Sequence, residues 1–99
     1  MAKSMNTAVQ QGAPVAVLGG EYSNQTASAL IKTGEGFIIG IYLNSGTASV
    51  VVRDALSATT PVICNTTPLV AGWNPMPFRF NTGLYLSITG TCDLTVSYH

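Results

Sequence analysis

Residues 84–99 read LYLSITGTCDLTVSYH, and their pattern decides the fold. Leu84, Leu86 and Ile88 alternate with Tyr85, Ser87 and Thr89. After Gly90-Thr91, Cys92, Leu94, Val96 and Tyr98 alternate with Asp93, Thr95, Ser97 and His99. A period of two over such lengths is that of a strand with one buried face, and the glycine between the runs marks a turn. Working back along the chain, Met76, Phe78 and Phe80 alternate with Pro77, Arg79 and Asn81. Residues 68–77 read as a loop built around Trp73, because Pro68, Pro75 and Pro77 forbid a central strand. Pro61 opens a strand over Val62–Thr66, and Ala48–Arg53 forms another. Asn44-Ser45-Gly46-Thr47 reads as the hairpin loop that joins Ala48–Arg53 to Phe37–Leu43. Ala29–Lys32 is a short strand before the turn Gly34-Glu35-Gly36. About seven short strands rich in Thr, Val, Ile and Tyr, with no helical period, predict an all-β chain. The expected architecture is a single antiparallel β-sandwich over residues 27–99, jelly-roll or Greek-key like, with residues 1–26 as an extended N-terminal arm.

The run Phe37–Leu43 carries apolar residues on both faces. Phe37, Ile39, Ile41 and Leu43 share one, and Ile38, Gly40 and Tyr42 the other. A second apolar face must be covered by another layer or another subunit, and a chain this small favours a subunit. Ile38, Tyr42 and the nearby Val51 are therefore expected at an oligomer interface. In the arm, Val9, Pro14, Val15, Val17 and Leu18 are the apolar residues that could dock on a shell or a neighbour, with a frayed terminus as the alternative.

Composition narrows the function. Ninety-nine residues make one small domain, and four cationic side chains balance four anionic ones. Only 8% of residues are charged, against about 25% in an ordinary soluble chain. That excludes the basic footprint required by nucleic acid or an anionic membrane. It also removes the like-charge repulsion that keeps monomers apart. No stretch approaches the ~20 apolar residues of a membrane span. The first twenty residues lack a continuous apolar h-region, so synthesis in the cytoplasm is expected.

Catalytic groupings are sparse. His99 is the single histidine, and a Ser-His-Asp arrangement through Ser87 or Ser97 with Asp93 would lack a G-x-S-x-G elbow. Glu21, Glu35, Asp54 and Asp93 suit turns and solubility better than paired acid–base work. Cys64, Cys92 and His99 do not have zinc-ligand spacing, and the two cysteines read as free thiols or one disulfide. No cofactor or metal is expected, and the chain does not read as an enzyme. Arg79 between Phe78 and Phe80 reads as a surface arginine between core phenylalanines. Trp73, on a Gly-Trp-Asn-Pro segment, is either a plug packed on the core or, with Tyr85 and other tyrosines, a glycan-stacking platform. The sequons at Asn24 and Asn65 carry no meaning without secretion.

From Ile31 onward the order of turn glycines and apolar strands has a likeness. The segments are Lys32-Thr-Gly-Glu-Gly-Phe-Ile-Ile-Gly-Ile-Tyr-Leu43, Thr47-Ala-Ser-Val-Val-Val-Arg-Asp-Ala55, Pro77-Phe-Arg-Phe-Asn-Thr-Gly-Leu-Tyr-Leu-Ser-Ile-Thr-Gly90 and the closing Leu94-Thr-Val-Ser-Tyr98. It resembles the small β-sandwich capsid decoration (cement) proteins of tailed bacteriophages. Gly34, Gly36, Gly40, Asp54, Phe80, Gly83, Leu84, Gly90 and Tyr98 carry the resemblance over roughly two-thirds of the chain, and a related pattern occurs in phage fibre and tail components. The resemblance implies a jelly-roll-like homotrimer on the virion that bridges major capsid protein subunits at the capsid surface. It implies no catalytic residue. A carbohydrate-recognising fibre or tail head using Trp73 and tyrosines is the alternative.

Overall fold

The structure is a computed structural model that describes residues 20–99. The chain forms eight strands: β1 (Glu21–Gln25), β2 (Ala29–Thr33), β3 (Gly36–Gly46), β4 (Ser49–Asp54), β5 (Val62–Pro68), β6 (Gly72–Phe80), β7 (Gly83–Thr89) and β8 (Cys92–Tyr98). They lie in two four-stranded sheets, a front sheet ordered β1-β8-β3-β6 and a back sheet ordered β2-β7-β4-β5. Every pairing is antiparallel. The first half of the chain pairs with the second in reverse order: β1 with β8, β2 with β7, β3 with β6, β4 with β5. The molecule is thus one long hairpin bent between β4 and β5 and rolled up, so that β3 also meets β8 and β4 also meets β7. That is the jelly roll, and the all-β sandwich expected from the alternation is the fold observed.

Rolling changes what the connections do. Only the β4–β5 connection stays within one sheet; the others cross between sheets. Asn44–Thr47 is therefore not a hairpin loop. β3 runs on to Gly46, and the chain then crosses to β4. Gly46 and Gly90 have φ of 82° and 116°, where side chains are strained. A Cβ on Gly46 would also strike the Thr91 carbonyl oxygen, and one on Gly90 the Thr47 carbonyl oxygen. The two crossovers press together, with the Thr47 N–H donating to Thr91 O at 3.1 Å.

Two further expectations shift. Glu21–Gln25, assigned to the arm, is a sandwich strand paired residue for residue with β8 from Tyr98 to Leu94. Trp73, Pro75 and Pro77, assigned to a loop, lie on β6. That strand tolerates its prolines because it forms the edge of the front sheet. Val9, Pro14, Val15, Val17 and Leu18 lie outside the described residues.

The core fills the space between the sheets. Ile38, Ile41, Phe80, Leu94 and Val96 point in from the front sheet, and Val50, Val52, Leu84 and Leu86 from the back, all fully buried. Each contributes about 1.5–3 kcal/mol relative to exposure. Ile38 joins this core because β3 carries an extra residue against β8: Ile38 pairs with Tyr98, yet Gly40 pairs with Ser97. Ile39 and Gly40 thus oppose one residue, a β-bulge. The bulge turns Ile38 to the side of Ile41 and Leu43. Ile38 is therefore fully buried within the chain, rather than exposed on one face with Tyr42 as the plain alternation predicts for an oligomer interface.

Asp54 ties the end of β4 to the β6–β7 crossover. Its carboxylate accepts the N–H groups of Asn81 (3.0 Å to each oxygen), Thr82 (2.7 Å) and Gly83 (3.3 Å). Burial pushes its pKa up, but the amides of Thr82, Asn81 and Gly83 together outweigh that and hold it below the ordinary 3.8. A lowered folded-state pKa contributes stability that is complete above the unfolded value and is lost as pH falls through the folded one. Asp54→Asn should lower stability by about 1–2 kcal/mol at neutral pH, the low end for bonds to a charged group because the site is partly exposed. In urea titrations the gap from the wild type should hold steady above about pH 5 and narrow in more acidic buffer. A gap that does not change with pH would remove the charge from this account.

Candidate interaction surface on the front sheet

The outer face of the front sheet is assembled by register. Residues directly opposite one another on neighbouring strands share a face, so the pairings Asn24–Thr95, Thr95–Tyr42 and Tyr42–Trp73 line up one row across all four strands. Tyr22, Ser97, Gly40 and Pro75 form the next row. Trp73 is 46% exposed and Tyr42 50%. Trp73 is therefore neither a loop residue nor a plug in the core. Its indole leans over Gly40: a Cβ built there would come within 2.6 Å of the ring and of the Asn74 carbonyl oxygen. Gly40 supplies a bare patch of backbone, and the tryptophan covers it.

Asn74 fixes the neighbouring backbone. It is buried, and its Nδ2 lies 2.9 Å from Val70 O, 2.9 Å from Gly72 O and 3.2 Å from Ile41 O, while its Oδ1 accepts the Val70 N–H at 2.9 Å. The side chain closes the turn into β6 and leaves the next residue back, Trp73, facing outward. Pro75 reinforces this by holding Asn74 in the extended region.

Beside the aromatic pair lies a polar network. The Asp93 Oδ1 accepts Nδ2 of Asn24 at 2.7 Å and of Asn44 at 3.2 Å, and the same amide groups reach Thr95 Oγ1 at 3.3 and 3.0 Å. Asn24 also donates to Leu94 O at 3.1 Å. A second extra residue in β3 puts Asn44 within reach: Leu43 pairs with Leu94, and Ser45 already with Asp93.

At the other end of the front sheet, along its β3–β6 margin, the surface is apolar. Phe37, Ile38, Ile39, Pro77, Phe78 and Arg79 line an open groove of about 320 Å³. Phe37 and Phe78 are 37% and 41% exposed. His99 pairs with Phe37 through both backbone groups (2.8 and 3.0 Å) and stacks on its ring at 6.0 Å between centroids. Gly20, where the described chain begins, abuts the Ile39 side chain. Arg79 meets Glu35 at 3.2 Å in an exposed pair. Phe80 is core as expected, whereas Phe78, at the sheet edge, is not.

The expected site residues scatter accordingly. Tyr42 lies on the front face, but Val51, opposite Ser87 on β7, lies on the outer face of the back sheet. With Ile38 inside, the three do not form one interface. Trp73 and Tyr85 are likewise separated: Tyr85 pairs with Leu30 and Arg53 on the back sheet. Trp73 finds Tyr42 instead. Ser87 takes a hydrogen bond from Arg53 Nε at 3.0 Å, on the far sheet from Asp93 and His99. Cys64 and Cys92 are free, half-buried thiols on different sheets, and burial pushes the Cys64 thiol up. Among the described residues no helix is long and apolar enough to cross a membrane, and no three His, Cys, Asp or Glu side chains gather at one point. Compared with protein-family models, with curated proteins and with solved structures, the chain matches none.

Gly40→Ala tests the surface directly. The new methyl must displace the indole and the Asn74 backbone, a cost of about 1–3 kcal/mol by analogy with overpacked sites. Trp73 is the single tryptophan, so its fluorescence maximum should shift to the red as it leaves the sheet. An unchanged spectrum would mean that the ring does not depend on the bare glycine.

Proposed function

We propose that this protein is a structural virion protein that decorates and stabilises an assembled phage capsid through oligomeric, mainly uncharged contacts. The observation that carries the reading is the groove of Phe37, Ile39, Pro77 and Phe78. It is an exposed apolar concavity on a neutral chain, placed where the polypeptide enters the fold. An exposed apolar site of this kind fits self-association. In this reading copies meet through the groove as a homotrimer, and the N-terminal arm reaches the major capsid protein on the outside of the shell. Synthesis is in the host cytoplasm. Several arms on one trimer then hold by avidity what one arm holds weakly. The jelly-roll order and the resemblance of residues 31–99 to capsid decoration proteins support the same assignment.

Light scattering and co-sedimentation with shells lacking this protein separate the two contacts. Phe78→Glu should convert a trimer into monomers and cut retention on shells at least about tenfold through lost avidity. Deletion of residues 1–13 leaves all eight described strands in place, so the trimer should persist while shell retention is lost. A wild-type monomer at high concentration would sink the trimer; full retention after the deletion would sink the arm.

A further inference from the structure

The geometry points to a binding site for a neutral sugar on the outer face of the front sheet, formed by Tyr42 and Trp73 beside Asp93, Asn24, Asn44 and Thr95. It is separate from the apolar groove. Phe37 and Tyr42 are five residues apart on one strand, about 16 Å at an extended rise.

The hydrogen bonds set the polarity of the site. A carboxylate only accepts, so Asp93 Oδ1 forces the amide nitrogens of Asn24 and Asn44 towards itself. Their donors are spent on Asp93, Thr95 and Leu94 O. Among the described residues nothing donates to Asn24 Oδ1, Asn44 Oδ1 or Asp93 Oδ2. These acceptors face solvent and are open to a ligand's donors, held by a network that need not reorganise when a ligand arrives. Next to them Tyr42 and Trp73 offer half-exposed aromatic surface. The row from Asn24 to Trp73 crosses four strands, about 14 Å at the usual strand spacing.

The ligand must therefore present hydroxyl donors on one side and an apolar face on the other. A pyranose does both, with its C–H groups against the rings and its hydroxyls towards the acceptors. No lysine or arginine stands in the row, so phosphate, sulfate and acidic sugars find no counter-charge. A compact cation would meet one carboxylate already half-satisfied by two amides, and two rings side by side on a sheet rather than a cage.

The site is tested on the isolated protein, independently of any shell. Methyl glycosides of glucose, galactose and mannose, N-acetylglucosamine and tetramethylammonium serve as probes in saturation-transfer NMR. Transfer to the ring C–H protons of at least one sugar is expected, together with a change in Trp73 fluorescence on titration. Tyr42→Ala and Asp93→Asn should each weaken that binding about tenfold, the loss of one good contact. Trp73→Ala should abolish it, while the variant stays folded, with a lower melting temperature and the wild-type light-scattering mass. Should a variant unfold, Asn44→Ala, at an exposed site, takes its place with the same expected loss. Four outcomes would overturn the site: no transfer to any sugar, transfer unaffected by Trp73→Ala, transfer to tetramethylammonium alone, or a change of oligomeric mass in Trp73→Ala. The last would make this face a contact between copies.

Discussion

Two extra residues in β3 determine what the front sheet buries and what it displays. Against β8, the strand is one residue too long at Ile39 and again at Asn44. The first excess puts Ile38 in phase with Ile41 and Leu43, completing the core across from Val50, Val52, Leu84 and Leu86. It also leaves Ile39 on the outside, lining the groove. The second brings Asn44 to Asp93 and Thr95, completing the polar network beside Tyr42 and Trp73. Bulges bend and re-aim a strand at small cost because they sacrifice little pairing. Here they separate one continuous apolar run into a buried set and two surface features of different chemistry.

The same device explains what could and could not be read in the chain. β7 and β8 were plain from their alternation because they sit inside their sheets with one face in the core. β1 was hidden: Glu-Tyr-Ser-Asn-Gln is a short edge strand, exposed for most of its length, and a period of two has no apolar signal there. β6 reads as a loop because its prolines argue against a central strand, and it is an edge strand. Alternation alone puts Ile38 on the wrong face, because it cannot count through a bulge. The aromatic character of Trp73 and Tyr42 was visible, but their adjacency was not, since it depends on which strands become neighbours after rolling. Asn24, Asn44 and Asp93 come from three strands, and no spacing in the sequence hints at their meeting.

The sheet edges follow from the scarcity of charge. Exposed edges invite pairing with other chains, and many proteins guard them with lysine. This chain has only two lysines and uses other means. β1 and β2 are five residues each, too short for much pairing. β5 ends in Pro68, and β6, the longest edge, carries Pro75 and Pro77, which have no N–H to offer. The groove lies beside those prolines, so an apolar partner can seat there without a backbone ladder forming.

A hairpin rolled from its bend has a definite order of mechanical weakness. The β4–β5 turn closes the shortest loop, and β1–β8 the longest. Tension applied at residue 20 enters the fold at the Glu21–Tyr98 rung, the last of that longest closure. The load falls on successive rungs of a five-residue ladder one at a time, as in a zipper, rather than on all of them together in shear. The fold therefore yields first by peeling β1 away from β8, leaving β3 paired with both β6 and β8 and the core behind them intact.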